Sequence, residues 1–285
     1  MLSDITLAPS TGFGFYKDNL GDMLNEGFEL NLKATVLKTK DWFVNLSLNM
    51  ARNTNKIVRI SNALKAYNDK VDEAQSGDYR STPLVRYVEG ESLNTIYAVR
   101  SLGIDPENGR ELFLKKNGTY TYDWDVKDIV AVADNTPIAD GFFGSTVSWK
   151  NFLVQVQFYT KFGGKEYNQT LVDRVENADP RYNVDRRALT ERWKQPGDIA
   201  KYKNIASTGS TNVSDRFIQR DNVLELNSIY CSYDFNKSFC KRLAMRNLRA
   251  SFTMNDVYRW SSMEIERGLD YPFARAFTFS IQTSF

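Results

Sequence analysis

The strongest constraint in this sequence is a period of two, sustained over segments longer than ordinary strands. In "GFELNLKATVLKTKDWFVNLSLNMARN", Phe28, Leu30, Leu32, Ala34 and Val36 share one parity, and Glu29, Asn31, Lys33 and Thr35 share the other. After "KTKD" the pattern resumes, with Trp42, Val44, Leu46, Leu48 and Met50 set against Asn45, Ser47 and Asn49. "FFGSTVSWKNFLVQVQFYTKFGG" repeats the plan around a tight Lys150-Asn151 turn, with Phe152, Val154, Val156 and Phe158 alternating with Gln155, Gln157 and Tyr159. "NVLELNSIYCSYDF", "NLRASFTMNDVYRW" and the terminal "FARAFTFSIQTSF" alternate likewise. Such alternation predicts strands with one apolar and one polar face. The runs are roughly 10–14 residues long, against a mode of about 5–6 in globular sheets. About 9–11 residues suffice for a tilted strand to cross a membrane.

The connections fall into two classes. Short ones are expected near Lys38–Asp41, Lys150–Asn151 and Phe235–Arg246, and long polar ones over 61–91, 116–140, 164–221 and 261–272. The two classes interleave as short periplasmic turns and long extracellular loops do in outer-membrane barrels. The predicted fold is therefore all-β, an antiparallel transmembrane β-barrel arrangement with about nine or ten strands present in the chain and long extracellular loops. "IYAVRSLGIDPENGRELFL" reads either as two barrel strands joined at "DPENG" or as a hairpin folded within a loop. Inside 164–221, Asn168 is a candidate N-cap for "QTLVDRVENAD", Pro180 is a stop signal, and "RRALTERWKQPGD" offers another helical turn.

Composition removes several functions. The net charge is +2, from 37 basic and 35 acidic residues, which gives no electrostatic case for nucleic acid. There is no histidine, hence neither the commonest general base nor the commonest metal ligand. Cys231 and Cys240 fit no metal spacing; they either meet across a hairpin or stay unpaired. "GFGFY" at Gly12–Tyr16 has the wrong spacing for a phosphate loop. Asp72, Glu73 and Asp78, and Asp134 and Asp140, sit in polar stretches where carboxylates are ordinarily solvated. No catalytic, cofactor or metal site is expected. Tyr159, Tyr167, Tyr182, Trp193, Tyr202, Trp124 and Trp260 fall in or beside the long loops, where aromatic faces serve sugar stacking or the membrane-interface girdle.

The segments "LAPSTGFGFYKDNLGDMLNEGFELNL", "WFVNLSLNMARNTNKIVRIS", "IYAVRSLGIDPENGRELFLKKNGTYT", "GFFGSTVSWKNFLVQVQFYTKFGGKEYN", "ALTERWKQPGD" and "ERGLDYPFARAFTFSIQTSF" resemble, in this order, the C-terminal part of the SusC/RagA family. These are TonB-linked outer-membrane transporters of Bacteroidetes. The resemblance implies a barrel of about 22 strands plugged by a separate domain. It also implies energy from the TonB complex, contact with membrane lipid, and a SusD-like surface lipoprotein that captures glycans or other nutrients. Residues 1–285 would be a C-terminal barrel segment lacking signal peptide, TonB box, plug and first barrel half. An incomplete sheet cannot close, so the chain is expected to be one piece of a barrel. Tyr167, Arg192 and Trp193 in the longest loop are the expected substrate or partner contacts. Phe285 resembles the terminal aromatic read by the barrel-assembly machinery.

The competing reading is a soluble all-β carbohydrate-binding module, since alternation and aromatic loops suit a sandwich as well.

Overall fold

The computed structural model describes residues 2–6, 15–19, 21–77, 80–264 and 275–285. β1 (Leu2–Thr6) and β2 (Phe15–Asn19) pair as a hairpin of their own. The long β3 (Gly21–Lys38) and β4 (Trp42–Ile60) lead to α1 (Asn62–Ser76). Five short strands follow: β5 (Thr95–Ala98), β6 (Arg100–Ile104), β7 (Glu111–Leu114), β8 (Tyr120–Thr121) and β9 (Val130–Asp134). After the long β10 (Ala139–Trp149) and β11 (Phe152–Tyr167), α2 (Gln169–Leu171) runs into a π turn at Val172–Glu176, and α3 (Arg187–Thr190) stands alone. β12 (Ile218–Asp234), α4 (Lys237–Arg242), β13 (Asn247–Ser261) and β14 (Phe277–Ser284) complete the chain.

Seven long strands make one antiparallel sheet in the order β14-β13-β12-β11-β10-β4-β3. Of the nine or ten strands expected, seven lie here and β1 and β2 pair apart. The "DPENG" segment resolves as a hairpin within a loop, β6 with β7. Strands of 5 and 4 residues are too short to span a bilayer. All three predicted short turns are present, at one end of the sheet.

Register carries each strand's alternation across the whole sheet. One row reads Leu32, Leu48, Phe143, Phe158, Leu226 and Tyr258. The next reads Ala34, Leu46, Ser145, Val156, Ile229, Met254 and Phe277. Paired residues share a face, so this side of the sheet is one continuous apolar surface. The opposite side pairs Thr35 with Asn45, Asn45 with Thr146 and Thr146 with Gln155, and farther along Thr253 with Thr278. Bulges at the β11–β12 and β12–β13 pairs re-aim strands without breaking the apolar rows, because Leu226 still follows Ile229 on the same face.

Aromatic rows bound the apolar face. At the short-turn end, Trp42, Trp149, Phe152 and Tyr233 lie side by side, with ring centroids 5.7, 6.1 and 4.5 Å apart. Towards the other end stand exposed Phe28, Phe162, Tyr258 and Trp260. Phe152 and Phe162 are ten residues apart on β11. At about 3.3 Å per residue that is ~33 Å along the strand, or ~25 Å of height at a barrel tilt of about 40°.

The buried core is elsewhere. Ile96, Ala98, Val99, Phe113, Val172, Val175, Val213 and Phe217 form a cluster at the long-loop end, built from the 61–138 and 168–217 connections. This cap is anchored to the top of β4. Asn55 Oδ1 accepts from the Ser92 hydroxyl and Leu93 N–H at 3.1 and 2.7 Å, and Ile57 and Glu91 share a backbone bond of 2.8 Å. The stretch expected as a plain polar connection at 61–91 contains α1. Ser61 caps it by accepting from Leu64 N–H, and Leu64 and Val71 are its buried apolar contacts. Cys231 and Cys240 are both free thiols.

Candidate functional site

Tyr167, Arg192 and Trp193 lie inside the cap, 8, 3 and 7% exposed. Tyr167, at the end of β11, meets the Phe217 ring edge-on at 5.9 Å and donates its hydroxyl to Ser81 O at 3.1 Å. The Arg192 guanidinium donates to the carbonyls of Ala178, Asn204 and Ser207 at 2.8, 3.1 and 3.0 Å, stapling three passes of the 168–217 loop. Trp193 Nε1 donates to Pro106 O at 2.9 Å, and its ring covers Gly109. Gly109 has φ +71°, and a Cβ there would sit 2.5 Å from the Trp193 ring. These residues weld the "DPENG" hairpin to the long loop. The predicted N-cap also forms, since Asn168 Oδ1 accepts from Leu171 N–H at 3.0 Å. Phe285 extends the apolar parity of β14 and is exposed.

Beside this weld lies a group the sequence did not single out: Glu111, Glu176, Lys203 and Arg216. Glu111 opens β7, Glu176 closes the π turn, and Arg216 sits in a 3₁₀ turn at Asp215–Phe217. Arg216 Nη2 bonds both carboxylates, Glu111 at 3.0 Å and Glu176 at 2.8 Å. Its guanidinium also lies 4.3 Å from the Phe217 ring centre. Burial opposes its charge, but the two carboxylates outweigh burial and hold its pKa above the ordinary arginine value. Lys203 Nζ donates to Asn177 Oδ1 at 2.7 Å, Thr211 Oγ1 at 3.1 Å and the Gly209 carbonyl. Thr211 passes the link to Glu176 Oε1 at 3.1 Å. Burial lowers the Lys203 pKa to about 8. The neighbouring Arg192 and Arg216 push the same way, against Glu176. Two acids and two bases thus neutralise one another where the two long loops meet.

This network floors an open cleft of about 460 Å³. Its rim carries Asn108, Tyr122, Asn204, Ser207 and Asn212. The Tyr122 hydroxyl donates to Asp105, and Asn108 Nδ2 donates to the Tyr122 hydroxyl at 3.1 Å. The Arg110 guanidinium lies 4.7 Å from the Tyr122 ring centre. Amides, hydroxyls and an aromatic ring over a charge-balanced floor suit hydrogen bonding to a polar ligand rather than bond cleavage. Among the candidate carboxylates, Asp72 pairs with Arg86, and Asp134 accepts from Thr136 N–H in its own turn at 2.7 Å. Asp78 lies outside the described residues.

No family model matches the chain. TonB-dependent receptor P39 of Formosa agariphila is 21% identical over 93% of the chain and 29% of its own length. TonB-dependent receptor SusC of Bacteroides thetaiotaomicron is 24% identical over 100% of the chain and 28% of its own length. A chain of the RagAB peptide transporter superposes with a TM-score of 0.74 at 19% identity, covering 100% of this chain and 32% of that one. The RagAB peptide importer in the "open-open" state gives 0.74 at 20% identity, covering 100% and 31%. The chain therefore spans less than a third of these relatives. The resemblance to the SusC/RagA transporters extends over its whole length, in sequence and in fold.

Proposed function

We propose that residues 1–285 form a C-terminal segment of the barrel wall of a TonB-dependent outer-membrane importer. The observation that carries this reading is the sheet itself: a continuous apolar face, bounded by two aromatic rows ~25 Å apart, backed by a polar face. Water would not tolerate such a face on a free domain, because contiguous apolar patches beyond a few hundred Å² mark a buried or membrane-facing surface. The polar face, with Asn45, Ser47, Asn49, Gln155, Gln157, Thr278 and Gln282, lines the lumen, and the cap stands on the extracellular side. Phe285 then serves as the terminal signal for barrel assembly.

The partners in this reading are a SusD-like lipoprotein over the cap, the TonB complex acting through the rest of the transporter, and a nutrient substrate. The cleft's balanced charge, amides, hydroxyls and Tyr122 ring favour an oligosaccharide. RagAB is a peptide transporter, so a peptide is the outcome that would redirect the substrate assignment. Tyr167, Arg192 and Trp193 contribute by fixing the loop that presents the contact surface.

Extraction tests the reading. The chain should leave membranes only in detergent and should stay aggregated in buffer alone. Recovery as a monodisperse β-protein in plain buffer would favour the soluble carbohydrate-binding module instead. Reconstituted by itself into vesicles, the chain should give no TonB-dependent uptake.

A further inference from the structure

The short-turn end of the sheet carries an unusual charge distribution. Between Phe235 and Leu248 there are four cations, Lys237, Lys241, Arg242 and Arg246, and no acid, in a chain whose net charge is only +2. All four side chains are exposed, and none is in an ion pair within the described residues. The neighbouring turns add Lys38, Lys40 and Lys150. Against them stand Asp41 and Asp234, and Asp234 is already held by Arg249 at 2.6 Å.

The turns are fixed to one another. Lys150 N–H donates to Asp41 O at 2.8 Å, Asp234 N–H to Asn151 O at 3.0 Å, and Asn151 Nδ2 to Asn236 Oδ1 at 2.9 Å. The β12–β13 connection is itself a built hook. α4 ends in a Schellman closure, with Met245 N–H bonded to Cys240 O at 3.0 Å and Ala244 N–H to Lys241 O at 3.2 Å. Ala244 accepts φ 56° to make that closure. The hook's apolar side, Phe239 and Leu243, is exposed, and the Phe239 ring stacks on Phe235 at 5.3 Å. Phe235 in turn packs on Tyr233 at 5.0 Å, so the row Trp42–Trp149–Phe152–Tyr233 continues directly into the hook.

We propose that this rim is a docking surface for the anionic phospholipid head groups of the leaflet at the short-turn end. Phe239 and Leu243 enter the acyl boundary in line with the aromatic row, and Lys237, Lys241, Arg242 and Arg246 take the phosphates above them. The inference rests on the membrane-spanning reading of the sheet. Its physical basis is the pairing of an interfacial apolar stripe with basic side chains, which binds anionic bilayers through both terms.

The test uses the full chain in a non-ionic maltoside detergent, with retained lipid counted by native mass spectrometry. The probes are phosphatidylglycerol and phosphatidylcholine of matched acyl chains. The wild-type chain should retain phosphatidylglycerol preferentially. The variant Lys237→Gln/Lys241→Gln/Arg242→Gln/Arg246→Gln should lose that retention by roughly tenfold or more, with phosphatidylcholine unchanged. If the variant fails to fold, the wild type still decides. Raising NaCl to ~1 M shortens the screening length to about 3 Å and must strip the phosphatidylglycerol. Equal retention of the two lipids, or indifference to both charge removal and salt, overturns the rim assignment alone. A wild-type chain that takes up neither lipid nor a detergent belt overturns the membrane reading with it.

Discussion

In the sheet, Phe277 is 62% and Phe279 is 73% exposed, although both are large and apolar. In the cap, Phe217 and the Glu176 carboxylate are both fully buried. One chain thus follows two burial rules, the pattern expected of two regions that face different solvents. The sheet needs no core of its own if lipid covers one face and the lumen the other. Its strands are held by backbone ladders and cross-strand pairs. The cap stands in water and must bury apolar surface to order its loops. It then inserts charges into that core, which are tolerated only because Arg216 meets two carboxylates and Lys203 meets three acceptors.

The sharpest way to break the contrast is to remove one charge from the cap. Glu176→Ala leaves Arg216 and Lys203 short of a partner and should cost the cap about 3–5 kcal/mol. Urea unfolding followed by tryptophan fluorescence would show it, while the strand signal in far-UV circular dichroism should persist. A cost below about 1 kcal/mol would deny the network its role.

Next is the sheet itself. Met254→Arg, on the apolar face near mid-height, should cost about 2–4 kcal/mol in a bilayer. Thr253→Arg, one residue away on the polar face, should cost about 1 kcal/mol or less. Equal costs, measured by reversible unfolding in lipid, would erase the distinction between the faces.

Gly109→Ala adds a Cβ at φ +71° against the Trp193 ring. It should cost about 1–3 kcal/mol in the cap and nothing in the sheet, which the same two readouts separate.

The last effect is in pH. Lys203 titrates near 8 in the folded cap and at its ordinary 10.5 when unfolded. Between those values the unfolded chain binds more protons, so cap stability should rise as pH increases through that window. Lys203→Met should flatten the slope. A wild-type slope of the opposite sign would contradict the burial of this amine.

The two regions also differ in how much of them the sequence reveals. Alternation at Phe28–Met50, Phe152–Phe158 and Leu248–Met254 predicts the sheet strands, their faces and all three short turns, because a period of two is a local property. The cap obeys no such period. Asn168 and "RRALT" announce their turns through local capping and propensity, but α1 buries only Leu64, Val71 and Gln75 and so leaves little periodic trace beyond its Ser61 cap. Glu111, Glu176, Lys203 and Arg216 come from four separated stretches and look like ordinary solvated charges one by one. Only the meeting of the two loops makes them a site. Nothing local to Tyr167, Arg192 or Trp193 tells that their polar atoms turn inward.

The central claim, that the alternating faces of the sheet meet lipid and lumen, is tested most directly by a label scan along β14 in a bilayer. In a Cys231→Ser/Cys240→Ala background, single cysteines at 277 through 282 would carry a spin label, with collision rates measured against lipid-soluble oxygen and a water-soluble nickel chelate. Positions 277, 279 and 281 should favour oxygen and 278, 280 and 282 the chelate, in strict alternation. Uniform access of the chelate to all six would contradict the account.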